Sequence, residues 1–160
     1  MPAAAPETET EPLAHYGLLI ATFATIFTVG TATARRQGRL PTRVSAGDVI
    51  LGGMATQKVS RLVTQDRVAS PVRAPFTEAE RKPTGEVEER PARGGIRQAV
   101  GELLTCPFCL AQWIGAGFTL GLLYAPRVTR LVMAMNAMVG VSDFLQIAFK
   151  AAENRREPAG

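Results

Sequence analysis

Apolar and charged positions segregate along this chain instead of interleaving. Leu13 to Ala34 is 22 residues without a formal charge, Leu103 to Ala125 is 23, and Leu131 to Phe149 is 19 with Asp143 alone. A soluble helix repeats its apolar residues every three or four positions, so runs of this length exclude an ordinary globular core. At a rise of about 1.5 Å per residue, roughly 20 residues cross a hydrocarbon layer about 30 Å thick. The pattern therefore predicts an all-α integral membrane protein with three transmembrane helices, at 13–34, 103–125 and 131–149.

The interval between the first two runs is mixed. Val44 to Val63 reads as a helix that begins at a Ser45-Ala-Gly-Asp48 capping pattern and carries Val49, Ile50, Leu51, Met54, Val59 and Leu62. Its uncharged centre, Val49 to Gln57, is too short to span. A charged side chain near mid-membrane costs about 2.5–3.5 kcal/mol, and this segment holds Asp48, Lys58 and Arg61. We expect an amphipathic helix at about 45–64, lying along the cytoplasmic leaflet or packed against the spans. Residues 65–95, with Pro71, Pro75, Pro83, Pro91 and the charge-dense run Glu78 to Arg93, read as a charged loop. No strand alternation of useful length is visible, and helical character returns from Gly94 to Leu104.

Charge then sets an orientation. The tail 1–12 is acidic and has no basic residue, segment 35–102 has 13, the turn 126–130 has two, and the tail 150–160 has three. Basic residues stay preferentially on the cytoplasmic side, so three spans predict an outer N-terminus and a cytoplasmic C-terminus. The absence of Lys or Arg before Arg35 also argues for a retained span over a cleaved signal peptide. The basic residues serve as topology signals and sit among acids, so the expected partners are the lipid bilayer and a second copy or another membrane protein, and not nucleic acid.

Cys106-Pro107-Phe108-Cys109 uses both cysteines of the chain. Two thiols three positions apart can close a disulfide or clip a metal ion, and Pro107 suits a first helical turn whose dipole favours thiolate at Cys106. Glutaredoxin-type sites use the same tetrapeptide, but between a strand and a helix. A structural zinc site wants four ligands, which two cysteines would supply only in a homodimer. The sole histidine, His15, is expected on the opposite side of the membrane. Packing of small apolar cysteines in a buried helix is the plain alternative.

The stretch Lys58 to Phe76, then Gly85-Glu-Val-Glu-Glu89, then Gly101-Glu-Leu-Leu-Thr-Cys-Pro-Phe-Cys-Leu-Ala-Gln-Trp113, resembles the bacterial membrane family known as domain of unknown function 1360, over roughly Ala46 to Phe149. One departure is Ala111, where a glycine is expected. The resemblance implies a small multi-pass membrane protein and no particular activity, substrate or cofactor. It also suggests that Asp66 to Phe76 is a shaped element, in which Asp66, Arg67 and Arg73 fold back as a polar cap around the thiols; solvated loop charges are the alternative.

No nucleotide loop and no Ser/His/Asp set is present. The leading expectation is a non-enzymatic structural or interaction module without a cofactor. The alternative is a metal-binding protein or a membrane thiol oxidoreductase, with Cys106 and Cys109 cycling against a partner thiol or a quinone held by Trp113 and Phe108. Within the third span, Asp143 needs a partner. Treating the second and third spans as a hairpin sets Asp143 level with Gln112 and Trp113, Gln146 level with Cys109, and the pair Gly117 and Gly121 against Met138 and Ala134.

Overall fold

The computed structural model describes residues 10–81 and 87–155. The elements in chain order are α1 (Thr10–Arg36), α2 (Ala46–Gln65), a 3-10 turn at Arg67–Ala69, α3 (Ser70–Arg73), β1 (Thr77–Arg81), β2 (Val87–Pro91), α4 (Gly95–Thr105), α5 (Pro107–Tyr124) and α6 (Pro126–Asn154). Three stretches, Leu13–Arg36, Pro107–Tyr124 and Pro126–Asn154, are helices long and apolar enough to cross a membrane. Two boundaries move from the expected positions. Extended backbone at Cys106 separates α4 from α5, so Leu103 to Thr105 end the preceding helix. Pro126 starts α6 at once after Ala125, which draws Arg127 and Arg130 into its first turns instead of a loop.

Side-chain register fixes how the helices run. Phe23 meets Trp113 edge-on with ring centroids 5.2 Å apart, and the Tyr124 hydroxyl donates to the Gly30 carbonyl at 2.6 Å. Both contacts advance together along the two helices, so α1 and α5 are parallel. The Arg39 guanidinium extends this end, donating to the Tyr124 carbonyl and lying 5.4 Å over its ring. In the same way Asp48 pairs with Arg130 and Lys58 with Asp143, which makes α2 parallel to α6. Since α5 and α6 form a hairpin about Ala125, the four long helices run up, down, up, down.

The helix α2 packs against α5 and α6, the second of its two expected places. It runs lengthwise between α5 and α6, with Ala55, Ser60 and Thr64 buried, and it carries segments 35–43 on one side and 66–81 and 87–102 on the other to opposite ends of the bundle. The reason is electrostatic. Asp48 receives a two-pronged bond from Arg130, Nε and Nη2 each at 2.8 Å from a carboxylate oxygen, and Lys58 Nζ lies 2.7 Å from Asp143 Oδ2. Charges that would be expensive alone are therefore neutralised by α6. Arg61 bonds Gln65 near the end of the helix. Ser45 occupies the N-cap position with extended backbone, but its side chain makes no capping bond.

The all-α expectation also needs amendment. Strands β1 and β2 pair antiparallel, from Thr77 opposite Pro91 to Arg81 opposite Val87. These five-residue strands hold four acidic and two basic residues, so no apolar alternation betrays them; the backbone ladder and a seat on α4 hold them. Gly101 makes that seat possible. A Cβ there would stand 2.3 Å from the Phe76 carbonyl oxygen and 3.1 Å from Pro91 Cα, inside any allowed contact.

Arg73 ties the hairpin to α2. It is 4% exposed, donates from Nη1 to the Val63 and Asp66 carbonyls at 2.6 and 3.0 Å, and from Nε to Glu89 Oε2 at 2.6 Å. Ser70 adds a 2.7 Å bond to the other Glu89 oxygen. These bonds, the Arg73 guanidinium first, hold the Glu89 carboxyl below its ordinary value. A depressed carboxylate stabilises the fold above its unfolded pKa of about 4.3, and that contribution is lost as pH falls through the lower folded value. We expect the hairpin to detach from α2 below about pH 4, and Arg73→Met to abolish this pH step. Amide hydrogen exchange of β2 against pH is the measurement; an unchanged step in Arg73→Met would refute the assignment.

Candidate dithiol site

The only two cysteines of the chain meet at the junction of α4 and α5. The residue before a proline is pushed to extended backbone, so Cys106 ends α4 at Thr105 and stands as the N-cap of α5, which Pro107 starts. The Thr105 hydroxyl turns back and donates to the Gly101 carbonyl at 3.0 Å. The Cys106 sulfur takes the capping role instead and accepts from the Cys109 backbone N–H at 3.3 Å. Both thiols are free, and their sulfurs lie 2.6 Å apart. Donation from the Cys109 thiol, then from the Cys109 and Phe108 backbone amides, lowers the Cys106 pKa below the ordinary thiol value. Cys106 is thus the readier thiolate, and Cys109 the proton-bearing partner.

The pair opens on a cleft of about 470 Å³ lined by α1, α4 and α5. Leu19, Ile20 and Phe23 of α1 form one wall, and Gln112 and Trp113 of α5 lie beside the thiols. Glu102 brings a carboxylate to the same space. It accepts a short bond from the Tyr16 hydroxyl and a 3.0 Å bond from the Gln98 amide. The cavity therefore combines an apolar, aromatic wall with one dithiol and one hydrogen-bonded acid, a combination suited to two-electron thiol chemistry on a small hydrophobic partner.

Several expected site residues lie elsewhere. The Asp143 carboxylate pairs with Lys58, not with Gln112 or Trp113, because α2 offers a cation along α6. The Gln146 amide bonds Ser142 of its own helix and is exposed. Of the glycine pair, Gly121 packs closely on Thr129, within 2.7 Å of a Cβ position, while Gly117 has nothing within 4 Å. The α5–α6 hairpin is therefore tight near its turn and admits α2 beyond it. Asp66 and Arg67 have exposed side chains, and Arg73 is spent on the hairpin, so none of the three lines the dithiol cavity. Phe108 is 86% exposed and also lies off the cavity wall.

His15 lies at the thiol end of the bundle, its Nε2 3.8 Å from the position of a Cβ on Gly95. This corrects its expected separation from the cysteines, and follows from the parallel course of α1 and α5. Among the described residues no group of three or more His, Cys, Asp or Glu side chains could hold a metal ion. Tyr16, Phe23 and Glu102 were not singled out from sequence. Glu102 stands one helical turn before Cys106, and Tyr16 and Phe23 are two turns apart on one face of α1. Those spacings are the signals, but only the packing of α1 on α5 gives them meaning.

A family model described as protein of unknown function (DUF1360) matches residues 51–149. The sporulation protein YjcA of Bacillus subtilis (strain 168) is 26% identical over 109 residues, covering 61% of this chain and 86% of the relative. No solved structure matches the chain.

Proposed function

The chain belongs to the DUF1360 family, and from that premise and the site geometry we propose that it is a membrane thiol–disulfide oxidoreductase whose working groups are Cys106 and Cys109. The observation that carries this reading is the direct contact of the two thiols at the rim of an apolar cleft that also holds Glu102. Cys106 acts as the attacking thiolate, helped by the N-terminal dipole of α5 and by backbone N–H donors. Cys109 resolves the mixed disulfide, and Glu102 is the nearby carboxylate that takes its proton.

In this reading α1, α2, α5 and α6 all cross the bilayer. The apolar outer faces of α1 and α6, with Leu18, Ile26, Phe144, Leu145 and Ile147 all exposed, suit lipid contact. Four crossings put the thiol end and the start of α1 on one side. That end carries eleven basic residues, in 61–102 and 150–156, against six in 35–43 and 127–130, which favours a cytoplasmic thiol end and keeps the C-terminus cytoplasmic. The name of the Bacillus relative points to sporulation as a process in which such a protein acts. A non-enzymatic interaction module is the second reading, favoured by the ion-paired α2–α6 seam, which would make a rigid scaffold.

Thiol titration of purified protein distinguishes them. We expect mild diamide to remove both thiols and lower the mass by about 2 Da, reversibly with dithiothreitol. Cys106→Ser should slow alkylation at neutral pH much more than Cys109→Ser. Resistance of the pair to diamide in folded protein would sink the redox reading.

A further inference from the structure

Resting on the redox reading above, we propose that the cavity beside Cys106 and Cys109 binds the ring of a lipid-soluble quinone and that this quinone is the electron acceptor of the dithiol. A water-soluble protein partner would meet the thiols from the aqueous end of the bundle, and would not require a cavity. This one is built for a small ligand: about 470 Å³ lies within the usual range of roughly 300–1,000 Å³ for small-molecule pockets. Its far wall belongs to α1 between Tyr16 and Phe23, inside a stretch apolar enough to span a membrane, so a ligand dissolved in lipid reaches it directly.

The wall chemistry matches a flat ring with a carbonyl at each end. Trp113 and Phe23 meet at 70° between ring planes, fixing an aromatic corner against which a third ring can stack. The Gln112 side-chain amide can donate to one carbonyl oxygen, and on the α4 side the Glu102 carboxylate, already accepting from the Tyr16 hydroxyl, can accept from the O–H that forms when the other carbonyl is reduced. A saturated acyl chain would use the apolar wall but none of these polar groups.

The reaction balances with no further reagent. Two S–H bonds of the dithiol break and one S–S bond forms, releasing two electrons and two protons. The quinone takes both electrons and both protons into two O–H bonds and leaves as the quinol. Glu102 relays the Cys109 proton, and a partner dithiol restores the pair by thiol–disulfide exchange.

The test uses the whole chain, purified in detergent, reduced and kept anaerobic, with duroquinone as the probe because its fully substituted ring resists arylation by thiols. We expect one quinol formed per chain, loss of both thiols, and no mass addition. Trp113→Leu should raise the quinone concentration for half-maximal rate about tenfold, while the rate of oxidation by diamide stays at the unsubstituted value. Phe23→Leu, a milder change at the same corner, should move the same parameter in the same direction. Oxidation by diamide without quinol formation from duroquinone would overturn the quinone assignment alone. Failure of both oxidants would remove the redox reading beneath it. Equal slowing of both oxidants by Trp113→Leu would show a structural role for the indole and overturn its place in the quinone site.

Discussion

Cysteines introduced at Gln37 and at Glu78, in a background lacking Cys106 and Cys109, will be labelled from opposite faces of the membrane by an impermeant maleimide. Both positions are exposed and lie at opposite ends of the bundle, because α2 carries the chain back along α5 and α6. An α2 lying along one leaflet would leave both positions on the same side, so the outcome is all or none. The larger basic count at the thiol end predicts that Glu78→Cys is protected in intact cells and labelled after permeabilisation, and that Gln37→Cys is labelled directly. Labelling of both from one face would refute four crossings. Opposite faces with the reverse assignment would keep the four crossings and expose the dithiol to an oxidising compartment.

The three apolar helices were legible because length without charge is a one-dimensional signal, and α1, α5 and α6 carry it. The course of α2 was not. Its helix was visible from Ser45 onward, but each charge was weighed alone, and the groups that neutralise Asp48 and Lys58 are 82 and 85 residues away. Transfer costs are properties of pairs once a fold exists, and a single sequence does not say which charges pair. The hairpin escaped for a related reason. Its strands have no apolar face to alternate, and what seats them is the absence of a Cβ at Gly101. Of the dithiol site, Cys106, Cys109 and Trp113 are legible in one short segment, whereas Gln112 is expected against Asp143 and instead lines the cavity. Tyr16 and Phe23 belong to a helix about 90 residues earlier, and the cavity exists only because α1 lies parallel to α5.

The same pairing logic predicts that Lys58→Met and Asp143→Leu will each be severely destabilising, and that the double variant will recover most of the loss. The pair bridges α2 and α6 with a 2.7 Å contact, with side-chain exposures of 15% for Lys58 and 44% for Asp143. Lys58 also packs beneath Gly140, whose would-be Cβ lies 3.5 Å from the lysine Cβ, so the two helices leave little room for the charge to turn elsewhere. Removing one partner strands the other in a low-dielectric seam, at a cost of about 3 kcal/mol. Removing both leaves an apolar contact of similar volume, which costs little where water is scarce. A double-mutant cycle in denaturant titrations of the detergent-solubilised chain should return a coupling energy of about 2 kcal/mol or more. Asp143→Asn should fall between the extremes, since it keeps an acceptor for the ammonium and loses the countercharge. Additive effects of the two single substitutions would show that the pair lies in water instead of a membrane seam, and with it would fall the reason for α2 to cross.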